Sequence, residues 1–252
     1  MNMGYQGGNN LIHRNLTVSV CMATYNGEKY IANQLESILE QLCETDEVIV
    51  SDDGSSDATK EIVNYYAMKH KNIVLVDGPR DGFSCNFGNA IRFAKNDIVF
   101  LSDQDDIWRS DKVSAVCDVF DRRKDITTVL HNMATFRKNV LKDTNELTIK
   151  YHSGTLRNFI KSCYWGCCMA IRKDFIKRLI PFRKHCEEHD QLIGLMSEKY
   201  GKTAFVDEKL IWHRLHESNT SGPKTIHQMV NFRIGIYKDF DFAKKLFMPH
   251  NE

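Results

Sequence analysis

Acidic residues crowd two short stretches of this chain. "SDQDD" sets Asp103, Asp105 and Asp106 within four positions, and "SDDGSSD" sets Asp52 beside Asp53. Two carboxylates one residue apart suit a hard divalent cation that keeps some waters and takes other ligands from a diphosphate. The regular spacing and closing glutamate of a calcium loop are absent. A bare D-x-D decides little, because aspartates after strands also form turns and cap helices. Asp106 or Ser110 could simply cap "DKVSAVCDVF". Neither stretch is a Walker loop or a GxGxxG fingerprint. An acidic strand end repels phosphate oxygens but can accept hydrogen bonds from a base or ribose. The acids therefore point to a nucleotide whose phosphates are handled by a metal. A third group, Glu187, Glu188 and Asp190 in "EEHDQ", opens an apolar run. It reads either as acids favouring a helix N-terminus or as a source of a general base.

These acids need elements to hold them. "TVSVCM", "DEVIVSDD", "NIVLVD" and "DIVFLSDQDD" are short apolar runs, each followed by a helical pattern. After the first, Ile31, Leu35, Ile38, Leu39 and Leu42 form one stripe. After the second, Ile62, Val63, Tyr66 and Ala67 face inward, with Asp57 as N-cap. The alternation predicts an α/β fold with a mostly parallel sheet and helices on both faces. Ligands of such sheets bind outside the carboxyl ends of the strands, where "ATYNG", "SDDGSSD" and "SDQDD" all fall. The second half is less regular. "TTVLHNMATF" reads as a strand, "CYWGCCMAIRKD" as a strand or loop leading to a helix, and "EEHDQLIGLMSEKYG" as a helix. "KTAFVDEKLIWHRLHESNTSG" reads as a strand and a polar loop. The terminal segment is helical, with Phe232, Ile236, Phe240 and Phe247 on one face.

Composition narrows the function classes. The 252 residues are 42% hydrophobic and carry a formal net charge of +1. Scattered basic residues argue against a nucleic-acid partner. No run is long enough to span a membrane, and "MNMGYQGGNN" reads as a loose tail without signal-peptide features. The eight cysteines read as free buried thiols in a reducing compartment. A zinc site from Cys163, Cys167, Cys168, His185, Cys186 and His189 fits no common ligand spacing.

In order and spacing, "VSVCMATYNGEKYIANQLESILEQ", "VIVSDDGSSDAT" and "DIVFLSDQDDIW" resemble the signatures of the family 2 inverting glycosyltransferases, the last being similar to the rhamnosyltransferase-like branch. The likeness runs from about residue 17 to 110 and thins toward 222. It implies the GT-A fold, a nucleotide-binding half (about 16–110) joined to an acceptor half (about 111–224), between a tail (1–15) and a helical extension (225–252). It further implies that Ala23 and Tyr25 line the base pocket and that Asp53 accepts a pyrimidine N–H. Asp103 would lie near ribose, and Asp105 would bind Mg²⁺ or Mn²⁺, with Asp106 supporting the turn. Arg80 stands at a donor-contact position, though "GPRDGFSCN" matches loosely. Gly166 would let the backbone approach the donor sugar, and Asp190 would be the catalytic base. "WHRLHESN" resembles a donor-closing loop in which His216 reaches the metal or diphosphate, with Arg214 nearby.

The implied activity is inverting transfer from a UDP- or dTDP-sugar, dTDP-rhamnose among them, to a hydroxyl of a surface polysaccharide or lipid-linked glycan. The expected location is cytoplasmic, with peripheral membrane contact through the C-terminal helix as an alternative to its packing on the core. A nucleotidyltransferase would need a Gly-rich basic loop that "ATYNGEKY" lacks. A non-catalytic nucleotide-sugar or partner-binding domain of the same fold is the other competing reading.

Overall fold

Continuous apolar runs become strands covered on both faces. The computed structural model describes residues 14–140, 142–145, 148–216 and 225–247; all but the last two residues of the tail expected over 1–15, and the loop from 217 to 224 with Asn219 in it, lie outside these. The first half comprises β1 (Val18–Thr24), α1 (Ile31–Leu39), β2 (Glu47–Asp52), α2 (Thr59–Lys69), β3 (Ile73–Asp77), α3 (Phe83–Phe93) and β4 (Ile98–Ser102). The second half follows with β5 (Ile107–Trp108), α4 (Lys112–Arg122), β6 (Thr128–Phe136), α5 (Thr155–Ile160), β7 (Met169–Arg172), α6 (Lys173–Ile176), α7 (His189–Tyr200), β8 (Thr203–Arg214) and α8 (Ile226–Phe247).

The strands form one sheet in the order β3-β2-β1-β4-β7-β6-β8-β5. The β1/β2, β1/β4, β2/β3 and β6/β8 ladders are parallel. β7 runs antiparallel to both β4 and β6, and β5 antiparallel to β8. The expected α/β sheet is present, and each of its antiparallel ladders involves a strand of the second half. From β1 the chain winds outward through β2 to β3, then returns to place β4 on the other side of β1. That reversal opens a crevice at the carboxyl ends of β1 and β4.

Packing follows the sequence periodicities. Ile31, Leu35 and Ile38 of α1 are fully buried, with Leu39 and Leu42 packed at the margin. On α2, Val63 is buried, and Ile62, Tyr66 and Ala67 pack against the core. The caps differ from expectation. α2 begins at Thr59 with Ala58 at its cap; Asp57 stands one place earlier and takes the Thr59 amide at 3.0 Å. α4 is preceded by Asp111, without a side-chain cap. Asp106 cannot cap it because its carboxylate is held by β8, as described below.

Gly194 of α7 lies directly under the Tyr164 ring, so an added Cβ would overlap that ring. Tyr164 is buried and has little room to give way. Gly194→Ala is expected to cost about 1–3 kcal/mol through overpacking despite the better helix propensity of alanine, read as a lower midpoint in thermal unfolding. α8 rests on the core through Ile236, Ala243 and Phe247, with Phe240 packed beside them. Buried Asp239 of α8 accepts from Arg183 Nε at 2.6 Å and from the Glu187 amide at 2.9 Å. All eight cysteines are free thiols. No helix among the described residues is long and apolar enough to cross a membrane.

Candidate active site

The crevice is a cleft of about 900 Å³ whose lining includes Ala23, Tyr25, Asp53, Arg80, Asp103, Asp105, Gly166, Asp190 and His216. Residues more than 190 positions apart are thus brought to one place, at the ends of β1, β2 and β4 and the start of α7. Arg214 is the one expected site residue missing from that lining. It is buried behind the cleft, its guanidinium over the Tyr30 and Phe136 rings at 4.8 and 4.4 Å. Its Nε donates to the Asp105 carbonyl at 2.8 Å. In this arrangement Arg214 holds the acidic loop to the end of β8.

The loop after β1 and the loop after β4 are tied by Gln104. Its Oε1 accepts the Tyr25 amide at 3.0 Å, and its Nε2 donates to the Tyr25 carbonyl at 3.1 Å. A side chain on Gly27 would occupy the place of the Gln104 amide. Tyr25 itself is 58% exposed at the cleft mouth, free to cover a planar ligand. The two acids after β2 divide their work. Asp52 is buried and gathers the amides of Gly54 and Ser55 and the Thr24 hydroxyl. Burial opposes its ionisation, but these hydrogen bonds win and hold its pKa below the ordinary value. Asp53 reaches the cleft and accepts the Arg80 amide at 2.6 Å, retaining lone pairs for a ligand. Arg80 takes positive φ (59°) in this turn.

The three acids of "SDQDD" part company. Asp106 is fully buried, and its Oδ1 accepts from the Arg214 amide at 3.0 Å and pairs with His213 Nδ1 at 2.9 Å. It supports the loop, as expected, but through β8 and not through the turn that follows it. Asp105 points to the cleft with Oδ2 2.7 Å from His216 Nε2, and His216 stacks on Tyr30 at 5.2 Å. Burial, then the neighbouring Asp106 charge, raises the Asp105 pKa, while His216 opposes the rise. Asp103 is pushed up to about 8 by burial and by Asp106 and Asp105. Burial lowers the His213 pKa, but hydrogen bonds to Asp106 and Cys167 outweigh it and carry it up to about 12.

Asp190 lies in the first turn of α7. Burial pushes its carboxyl up to about 6, against the backbone amides of Gln191, Gly166 and Asp190 itself. Gly166 has a specific reason to lack a side chain: a Cβ there would stand 3.1 Å from His189 Nε2 and 3.6 Å from Asp190 Cβ. The glycine lets α7 approach the cleft. His189 stacks on Phe87 at 4.2 Å and is held neutral by burial, its pKa lowered to about 3.

Two residues escape a local reading. His213 sits within a strand pattern, and its pairing with Asp106 depends on the β5/β8 contact. Lys112, at the start of α4, is fully buried and donates to the Cys167 carbonyl at 2.8 Å. It also lies 3.9 Å over the Trp108 ring. Burial lowers its pKa to about 8, against nearby thiols and acids that raise it.

Among the described residues, two donor sets could hold a cation. Asp105 and His216 offer a carboxylate oxygen and an imidazole nitrogen, which suit Mg²⁺ or Mn²⁺ when a diphosphate and water complete the shell. Asp103, Asp106, Cys167 and His213 form a second group whose ligand atoms lie within 4.8 Å of one another. Of the six residues weighed for zinc from sequence, only Cys167 enters it.

Comparison with known proteins places this architecture. The family model described as glycosyl transferase family 2 matches residues 19–180. A dTDP-rhamnosyl transferase, RfbG of Shigella flexneri, is 27% identical, covering 89% of this chain and 82% of its own. GgaB of Bacillus subtilis, a minor teichoic acid biosynthesis protein, is 26% identical over 94% of this chain, which spans 28% of GgaB. The crystal structure of S. aureus TarS in complex with UDP-GlcNAc shares the fold, with a TM-score of 0.69, 20% identity, and coverage of 91% of this chain and 70% of that one. With the model matching well over half of its length, the chain belongs to glycosyl transferase family 2 and is a glycosyltransferase of GT-A fold.

Proposed function

We propose that this chain is an inverting, metal-assisted glycosyltransferase that moves a sugar from a UDP- or dTDP-linked donor to a hydroxyl of a surface polysaccharide or lipid-linked glycan. The observation that carries this reading is the convergence of Asp53, Asp103, Asp105 and Asp190 on one cleft. Tyr25 covers the base, and Asp53 accepts its N–H, which favours uracil or thymine over cytosine. Ala23 lines the base pocket through its backbone, Asp103 faces the ribose, and Arg80 and Gly166 border the donor. Asp105 and His216 are the residues that would hold Mg²⁺ or Mn²⁺. When bound, the ion supplies positive charge that stabilises the departing diphosphate.

Asp190 takes the proton from the acceptor hydroxyl as its oxygen bonds to sugar C1, while the bond from C1 to the diphosphate oxygen breaks on the opposite face. Its raised pKa serves this role, since a carboxyl at the ordinary value of about 3.9 is a weak base near neutrality. The likeness to a dTDP-rhamnosyl transferase over most of both chains supports a dTDP-sugar as the first donor to try. A thermal-shift panel of nucleotide sugars with Mg²⁺ or Mn²⁺ tests the reading. UDP- or dTDP-sugars should raise the melting midpoint only with the ion present. Equal stabilisation by CDP- or GDP-sugars would overturn the base assignment.

A further inference from the structure

α8 uses only one of its faces to pack. On another face, in its N-terminal half, Met229, Val230, Ile234 and Tyr237 stand between 47% and 60% exposed. They share a groove with Phe159 of α5, a helix whose Leu156 and Ile160 are 76% and 66% exposed, and Arg233 of α8 donates to the Ile160 carbonyl at 2.6 Å. Between them lies a groove of about 470 Å³ lined by Phe159, the four α8 residues and Arg233. Single exposed apolar residues need no explanation, but a contiguous apolar groove marks a contact surface.

The charges around the groove select its occupant. Arg233 lines it, Arg157 is exposed on α5 and Lys161 just after it, and Lys238 is exposed one turn beyond Ile234. No carboxylate lines it. Of the two acids on α8, Asp239 is buried and paired with Arg183, and Asp241 is flanked by Lys244 at 3.9 Å and Lys245 at 3.4 Å. A two-fold dimer would set this patch against its own copy, bringing together the basic groups of a groove that no carboxylate lines. An anionic bilayer offers the complement: acyl chains for the apolar stripe, headgroups for the cations, and an interfacial position for Tyr237. α8 is also tied through Asp239 to Arg183 and Glu187, just ahead of α7 and Asp190.

We propose that the α5–α8 groove seats this protein on the surface of an anionic membrane, with the acceptor side of the cleft facing the bilayer. The orientation toward a lipid-linked acceptor rests on the function proposed above; the binding does not. The full chain is floated with vesicles of phosphatidylcholine alone and of phosphatidylcholine with phosphatidylglycerol. Wild type should float with the mixed vesicles only. The exposed pair Val230→Asp/Ile234→Asp and the pair Arg157→Glu/Lys161→Glu should each lower partition about tenfold or more, with unchanged thermal unfolding and unchanged transfer to a water-soluble acceptor. Absent flotation, or variants that float like wild type, would overturn the proposal. So would a dimer in light scattering that Val230→Asp/Ile234→Asp dissociates, because the face then joins two copies. Flotation with no transfer to any acceptor would leave the membrane seat standing and remove the proposed function.

Discussion

Asp190→Asn is expected to lower kcat by about 10²- to 10⁴-fold while UDP or dTDP binds as in wild type. The amide preserves the size of the group and its place in the first turn of α7, but it cannot take the acceptor proton. A pH profile separates this role from a structural one. Burial raises the Asp190 pKa to about 6, and only the carboxylate acts as base. The wild-type rate should therefore rise with pH through about 6 and level off above it. The residual rate of the asparagine variant should lack that limb. Normal turnover in the variant would remove Asp190 as base.

The second large effect is on donor binding. Asp105→Ala should weaken metal-dependent nucleotide affinity by at least about 10- to 100-fold, the loss typical of disturbing even the outer partners of a metal ligand. Affinity without Mg²⁺ or Mn²⁺ should scarcely change. Calorimetry on wild type and variant, with and without the ion, makes the comparison. Equal affinity in all four titrations would defeat the assignment. Retained metal dependence in Asp105→Ala, with loss in His213→Ala, would move the ion to the group formed by Asp103, Asp106, Cys167 and His213.

Much of the first half was legible because each strand is a continuous apolar run ending in polar residues, and such ends meet at a crevice in a parallel sheet. Tyr25, Asp53, Asp103 and Asp105 are each fixed by a local strand end, so their shared cleft follows from topology alone. The second half was harder, because its positions depend on partners far away in the chain. Arg214 looked like a ligand contact beside His216. β8 ends at Arg214, so strand geometry no longer governs His216, which turns to the cleft while the Tyr30 and Phe136 rings shelter the Arg214 guanidinium inside. Burial of Lys112 is not legible locally, since nothing near "SDKVSAV" announces the Cys167 carbonyl 55 positions on. Asp106 was recognisable as a support, but the strand it supports is identified only by the β5/β8 ladder.

β4 pairs in parallel with β1 and antiparallel with β7, so under the proposed function the ladder runs unbroken from the donor side of the cleft to the acceptor side. Asp103 and Asp105 follow the end of β4, and the turn carrying Gly166 leads into β7 against the start of α7. On that reading, the spacing between the leaving group and the proton acceptor is set by sheet register, as the spacing of two type blocks is set by the frame that holds them. Reaction demands an approach of about 3–3.5 Å, and an error of about 1 Å can cost about 10²-fold in rate. Substitutions that disturb the β4/β7 ladder, well away from any substrate, should therefore behave as misalignments, slowing transfer before they weaken either donor or acceptor binding.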